Sequence, residues 1–166
     1  MKKSALLAAL LLGTTFYHVV NAWPNPCKDF VTGGGHFTWG DSIASFGFNA
    51  GYRTEESPLQ GHLNYIDHNT GMHVTGTNAD EYTGWSTNDR AFHGDANVNG
   101  EPGFTYLVEV IDNGEPGRQD LFRVAVSNGY CANSNWAEGG AGCVFFDFDG
   151  MLEGGNIQIH KAEPCN

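Results

Sequence analysis

Helix-forming patterns and basic charge are both scarce in this chain of 166 residues. Beyond the first two dozen positions no apolar repeat at three-and-four spacing is sustained, which excludes a helical core. Ala5 to Leu12 is the one long apolar run and is too short to span a membrane. Nothing later is apolar enough for a transmembrane helix, so no membrane span is expected. Lys and Arg number 8 against 19 Asp and Glu, a formal net charge of −11. Phosphate backbones and anionic membrane surfaces would be repelled, so nucleic acid is not an expected partner. No GxSxG, HExxH, P-loop or dinucleotide fingerprint occurs. The cysteines contain no CxxC pair, which argues against a zinc-thiolate site.

The features that are present point outside the cell. Lys2 and Lys3 precede the apolar run, and Val20-Asn21-Ala22 supplies a cleavage pattern, so residues 1–22 read as a secretory signal peptide. No Cys directly follows that site, so no lipid anchor is expected there. Residues 23–166 then form a single domain, long enough to bury a core. Without Lys2 and Lys3, six basic residues face 19 acidic ones, a charge that suits cations, basic partners or plain solubility. The expected location is secreted, extracellular or periplasmic. Cys27, Cys131, Cys143 and Cys165 all follow the signal, and an even count in that setting favours disulfides. Three pairings exist. Cys27–Cys165 with Cys131–Cys143 is preferred, because the first would tie the two ends together and the second would close a Gly/Asn-rich loop.

Short β-rich runs alternate with turn residues: 30–39, 42–52, 61–67, 72–78, 91–98, 104–112, 120–127, 144–148 and 150–161. The pentapeptide Asn99-Gly100-Glu101-Pro102-Gly103 recurs as Asn113-Gly114-Glu115-Pro116-Gly117, flanking one strand-like run. Read as Pro-Gly type II turns, the two copies describe an up-and-down meander. The fold class is all-β: a single-domain antiparallel meander closing into a barrel of eight to ten strands, with a two-sheet sandwich as the alternative. A disulfide between Cys27 and Cys165 would bring the first and last strands side by side, as closure requires. In the hairpin 61–77, a loop at 68–71 sets Asp67 opposite Met72, Ile66 opposite His73, Tyr65 opposite Val74 and Leu63 opposite Gly76. Leu63, Tyr65, Met72 and Val74 then face the core, and His62, Asn64, His73 and Thr75 face out.

Several groups of residues carry chemical potential. His62, His68 and His73 are close in sequence, but in this register His62 and His73 stand about 13 Å apart, too far to share one zinc ion. They read as surface and turn histidines. Asp112, Asn113, Glu115 and Asp120 surround the second pentapeptide and could offer oxygen ligands to calcium. Arg118 among them and a spacing unlike an EF-hand favour a solvated turn. Asp147 and Asp149, with Glu153 beyond, place carboxylates on one strand face, where the solvent side is the simpler reading than glycoside hydrolysis. Trp39, Trp85 and Trp136 are candidates for stacking on a ligand, or for plugging a barrel end.

Seven segments together resemble a bacterial secreted family, the post-COAP domain. They are Val31-Thr32-Gly33-Gly34-Gly35, 44–50, 61–68 with Gly71, Val98-Asn99-Gly100 with Pro102-Gly103, 112–117, Ser127-Asn128-Gly129-Tyr130 and 154–161. The resemblance spans most of residues 23–166 and departs around Cys131–Cys143, where this chain carries an extra loop. It implies a short secreted protein or an accessory module beside surface domains. It brings no assigned reaction and no catalytic residues. The expected function is therefore a secreted non-catalytic β-barrel module that binds a ligand, a surface polymer or a protein partner, the expected partner being an unknown ligand, a glycan or an extracellular protein, with no cofactor unless calcium. A small enzyme using carboxylates or His at the barrel mouth, and a structural part of an extracellular assembly, are the alternatives. A packed interior favours the module, and a wide polar cavity favours the enzyme.

Overall fold

The computed structural model describes residues 28–54, 56–134 and 151–163. Among them there is no helix, and ten strands form one antiparallel sheet. The strands are β1 (Lys28–Trp39), β2 (Ser42–Tyr52), β3 (Gln60–Asp67), β4 (Met72–Gly76), β5 (Glu81–Thr83), β6 (Asp89–Val98), β7 (Glu101–Ile111), β8 (Leu121–Val126), β9 (Cys131–Asn133) and β10 (Gly154–Glu163). Their spatial order is β10-β1-β2-β3-β4-β6-β7-β8-β9, with β5 also paired to β6. The chain is thus a meander whose last strand returns beside its first, curled into a half-barrel. A single sheet replaces the sandwich alternative.

The 61–77 hairpin adopts the register that its side-chain pattern selects, with Asp67 opposite Met72 and Leu63 opposite Gly76. Leu63, Tyr65 and Val74 are fully buried, while His62, Asn64 and His73 are exposed. A shift of one residue would have buried the imidazoles instead. The first pentapeptide turns differently from a Pro-Gly type II turn. Asn99 (φ 52) and Gly100 (φ 87) form the two-residue connection, since Val98 pairs with Glu101. Asn-Gly supplies the two positive φ angles that match the twist of a hairpin. Pro102 and Gly103 lie inside β7, beside a register shift between Ala96 and Val98. The second copy is not a Pro-Gly type II turn either: residues 112–120 form a wide connection with a cis Glu115–Pro116 bond and a turn closed by Asp120 N–H to Gly117 O (3.2 Å).

Two short strands escaped the sequence pattern. β5 and β9 are three residues each, too short to show alternation. Between β4 and β5, residues 77–80 bulge against Gly94 and Asp95, held by Thr77 N–H to Asp95 O (2.9 Å) and Asp80 N–H to His93 O (3.0 Å). A side chain at Gly94 would collide with the Asn78 carbonyl, so glycine is what lets the bulge dip inward. The Tyr106 hydroxyl donates to that same carbonyl at 2.7 Å. The expected run 144–148 lies outside the described residues, as do residues 1–27.

The interior is packed with rings. Phe122 of β8 stacks on Phe46 of β2 at 3.8 Å between centroids, with Phe37 at 5.9 Å, Phe48 at 6.0 Å and Tyr65 at 6.3 Å. These residues, with Val31, Val74, Val108, Val124 and Ile157, form one buried cluster joining both halves of the curl. Each large aromatic buries enough area to dominate such a core. The middle of the half-barrel is therefore filled by side chains.

Buried polar networks close its two ends. At one end Arg90 of β6 pairs with Asp29 of β1, its Nε donating to both carboxylate oxygens (2.9 and 2.8 Å) and Nη2 lying 2.8 Å from Oδ2. The Tyr82 hydroxyl adds a bond to Asp29 at 2.8 Å. Burial alone would lower the Arg90 value, and the Asp29 and Tyr82 contacts raise it overall. At the other end Asp67 accepts from Ser42 (2.5 Å), Asn69 N–H (3.0 Å), Thr70 N–H (3.1 Å) and the Tyr130 hydroxyl (3.0 Å). Burial would raise its carboxyl, but these donors outweigh burial and hold it below the ordinary carboxylate value. Tyr65 and Tyr130, whose hydroxyls meet at 2.6 Å, are pushed well above the usual phenol value, chiefly by burial.

Candidate functional site

The four residues expected to offer oxygen to calcium do come together, and the structure employs them in joining the sheet. Among the described residues strand β10 pairs with β1 alone, and alternate amides on its other edge have no strand partner there. Asp120 Oδ2 accepts Ile157 N–H at 2.7 Å, and Asp112 Oδ2 accepts Ile159 N–H at 2.9 Å. Glu115 Oε1 accepts from Asn156 Nδ2 at 2.9 Å. Within the connection, Asp120 Oδ1 accepts Asn113 N–H (2.9 Å), Asp112 Oδ1 accepts Gly114 N–H (3.0 Å), and Asn113 Nδ2 donates to Gln119 O (2.7 Å). Carboxylates of one loop thus serve the last strand as a neighbouring strand would. Gly117 lies against Asn156 and Asp120 so closely that a Cβ would overlap both. Burial raises the Asp120 value; the Ile157 and Asn113 amides lower it in part, and Asp112 and Glu115 add to the rise. Among the described residues no three His, Cys, Asp or Glu side chains converge to hold a metal ion.

Of the candidate tryptophans, the two described ones, Trp39 and Trp85, do not gather. Trp39 ends β1 at the β1–β2 turn and packs half-buried against the core. Trp85 is 66% exposed in the loop before β6, where its N–H donates to Asp89 at 2.6 Å. That loop adjoins Arg90 and hence Asp29, at the opposite end of β1 from Trp39. Ten residues of strand, about 33 Å, lie between those ends. Trp136 is outside the described residues, as are Asp147 and Asp149. Glu153 accepts from the Thr38 hydroxyl at 2.5 Å. Cys131 is disulfide-bonded, while Cys27, Cys143 and Cys165 lie outside the described residues. The strands next to Cys27 and Cys165 do pair, Lys28 opposite Glu163.

One coherent surface among the described residues was not legible in the sequence. Pairing aligns outward residues of five strands into rows. One row is Gln158, Thr32, Asn49 and His62. The next is Asn156, Gly34, Gly47, Asn64 and Thr75, continued by Asn97 on β6. A third is Gly154, His36, Ser45, Ile66 and His73, with Thr38 and Ile43 beyond it. None of these residues is Asp, Glu, Lys or Arg. Charged residues make up 16% of the chain, so a face this size would ordinarily carry some. The rows are exposed or half-exposed, whereas the intervening residues Val31, Phe46, Phe48, Leu63, Tyr65 and Val74 are buried inside. Charge resumes at the margins, with Arg53 over the Phe30 ring (4.3 Å), Glu153 beside Thr38, Glu115 against Asn156 (2.9 Å), and Asp95 on β6.

Side chains on this convex face hold one another in place. Thr32 Oγ1 meets His160 Nε2 at 3.1 Å, Ser45 Oγ meets His68 Nε2 at 2.8 Å, and Asn64 Oδ1 meets His73 Nε2 at 2.5 Å. Such a surface can donate and accept hydrogen bonds without demanding a charged partner. His62, Asn64, His73 and Thr75 were legible as outward-facing from the hairpin alone. Extending them into rows needed the order β10-β1-β2-β3, which no local pattern states. The chain matches no protein-family model, no curated protein and no solved structure in comparisons with each. The class defined by fold and site is an all-β half-barrel with a packed interior and an uncharged polar outer face.

Proposed function

We propose that the chain is a secreted, non-catalytic binding module that takes an extracellular ligand on the convex face of β10-β1-β2-β3-β4. The observation that carries this reading is the absence of charge from that face in a chain of net charge −11. A merely solvated face would share the acidic character of the rest. The packed aromatic interior supports a binding role over a reaction inside the barrel. The leader-like residues 1–22 and the disulfide at Cys131 support an oxidising, extracellular setting. In that setting Cys27–Cys165 would fasten the β1–β10 seam, and Cys131 would pair with Cys143. The resemblance to post-COAP modules, short secreted proteins or additions to surface domains, agrees with the same role.

Co-sedimentation of purified chain with insoluble cell-wall and extracellular polymers tests the proposal, with soluble products assayed in parallel. The expected result is retention without release of sugars or peptides. Steady turnover of any polymer would overturn the non-catalytic reading. Retention unaffected by new charges on the convex face, such as Asn49→Asp with Asn64→Asp, would overturn its location.

A further inference from the structure

We infer that the convex face binds a neutral polysaccharide laid across the strands, with a sugar ring seated over Gly34 and Gly47. This rests on the proposed binding role and specifies its ligand. A polyanion would find no cation on these rows, and a basic polymer would find its carboxylates elsewhere on the molecule. What the rows offer are amides, hydroxyls and imidazoles, each able to donate and accept, as sugar hydroxyls do. Their mutual hydrogen bonds fix several side chains beforehand, reducing the order that binding must impose.

The adjacent pair Gly34 and Gly47 leaves a shallow gap at the centre of the face. Thr32 and Asn49 border it on one side, His36 and Ser45 on the other. At Gly47 neither backbone nor packing asks for glycine: its φ is not left-handed, and a Cβ would meet nothing within 4 Å. Glycine within a strand marks a bulge, a tight bend or a close approach by another molecule, and the β1–β2 register runs through this pair without a bulge, in keeping with a close approach. Strands spaced ~4.8 Å apart make the gap about one pyranose ring wide.

Affinity electrophoresis of the disulfide-intact chain at pH 7.5 tests the inference. Native gels are cast with dextran, galactomannan or mixed-linkage β-glucan, and parallel gels with alginate or hyaluronan. Retardation by at least one neutral polymer and by neither polyanion is expected. Gly47→Gln should weaken that retardation at least tenfold while its thermal melt stays at the parent value. Asn64→Ala, which removes an exposed side chain and frees the His73 imidazole that it holds, should weaken it several-fold. Retardation by polyanions alone, by no polymer, or equally for parent and Gly47→Gln would overturn the inference. If no glycan binds but a secreted protein does, and Gly47→Gln blocks it, the ligand class falls while the binding role stands. If no ligand of any kind depends on this face, both fall.

Discussion

Replacing Asp120 with alanine should loosen the 112–120 connection from β10 and cost about 1–3 kcal/mol of stability. The side chain is fully buried, and its two oxygens accept Ile157 N–H at 2.7 Å and Asn113 N–H at 2.9 Å. The buried Ile157 N–H left without an acceptor costs about 1–3 kcal/mol, and the Asn113 N–H, on an exposed residue that water can reach, adds about 0.5–1.5 kcal/mol. Removing a carboxylate that burial, Asp112 and Glu115 all disfavour in its charged form returns part of this. Asp120→Asn keeps one acceptor oxygen and should lose about half as much. Urea unfolding of the disulfide-intact chain, followed by tryptophan fluorescence, reads both values through the midpoint at constant slope. In a domain of this size the alanine variant should melt about 3–10 °C lower. The pH dependence has a definite sign. A carboxyl raised on folding adds stability that is complete below its unfolded value near 3.9 and is lost as pH rises through the folded value. The parent should therefore gain on Asp120→Asn between pH 7 and pH 4. A loss under 0.5 kcal/mol for Asp120→Ala, or a parent-to-Asn difference that moves the other way, would refute the reasoning.

Asp67 has the opposite sign. Its carboxyl is lowered, so its contribution is present above about pH 4 and disappears as pH falls through the folded value; unfolding across pH 2–5 should show a loss that Asp67→Asn abolishes. Arg90→Met strands the Asp29 carboxylate among buried groups and should cost about 3–5 kcal/mol by urea titration, while pairing it with Asp29→Leu should recover much of that. Phe122→Ala removes the ring against which four others pack and should cost about 3–5 kcal/mol, with loss of near-ultraviolet dichroism. Peptide mapping without reduction should recover Cys27 joined to Cys165 and Cys131 joined to Cys143; any other pairing contradicts the proposed seam.

The meander was legible because alternation is a local property. Leu63, Tyr65 and Val74 sort against His62, Asn64 and His73 with no knowledge of their neighbours, and the 68–71 loop then leaves one register. The return of β10 to β1 was expected from the preferred Cys27–Cys165 pairing; both cysteines lie outside the described residues, and what the structure shows is the pairing of the strands themselves. The turn geometry did not. Asn99-Gly100-Glu101-Pro102-Gly103 contains two competing turn signals, and Asn-Gly won because it matches the twist of β6 and β7. Its second copy, placed beside the edge of β10 away from β1, became a connection that hydrogen-bonds to that strand. Such a role depends on what lies opposite in space. Asp112, Asn113, Glu115 and Asp120 were recognisable as an oxygen-rich group, but an oxygen-rich turn serves an ion or a strand edge equally well in sequence. The uncharged face was hidden for the same reason: Gly34, Gly47 and Asn64 become neighbours only through pairing of three strands.

The side-chain amides of Asn49, Asn64 and Gln158 report on the convex face directly. Following their resonances by two-dimensional NMR while titrating the neutral polysaccharide that most retards the chain tests the central claim. All three should shift together and saturate with one affinity, while Asn113 and Asn128, on connections outside the face, stay in place. Shifts confined to those connections or to the Trp85 loop, with the three face amides unmoved, would contradict it.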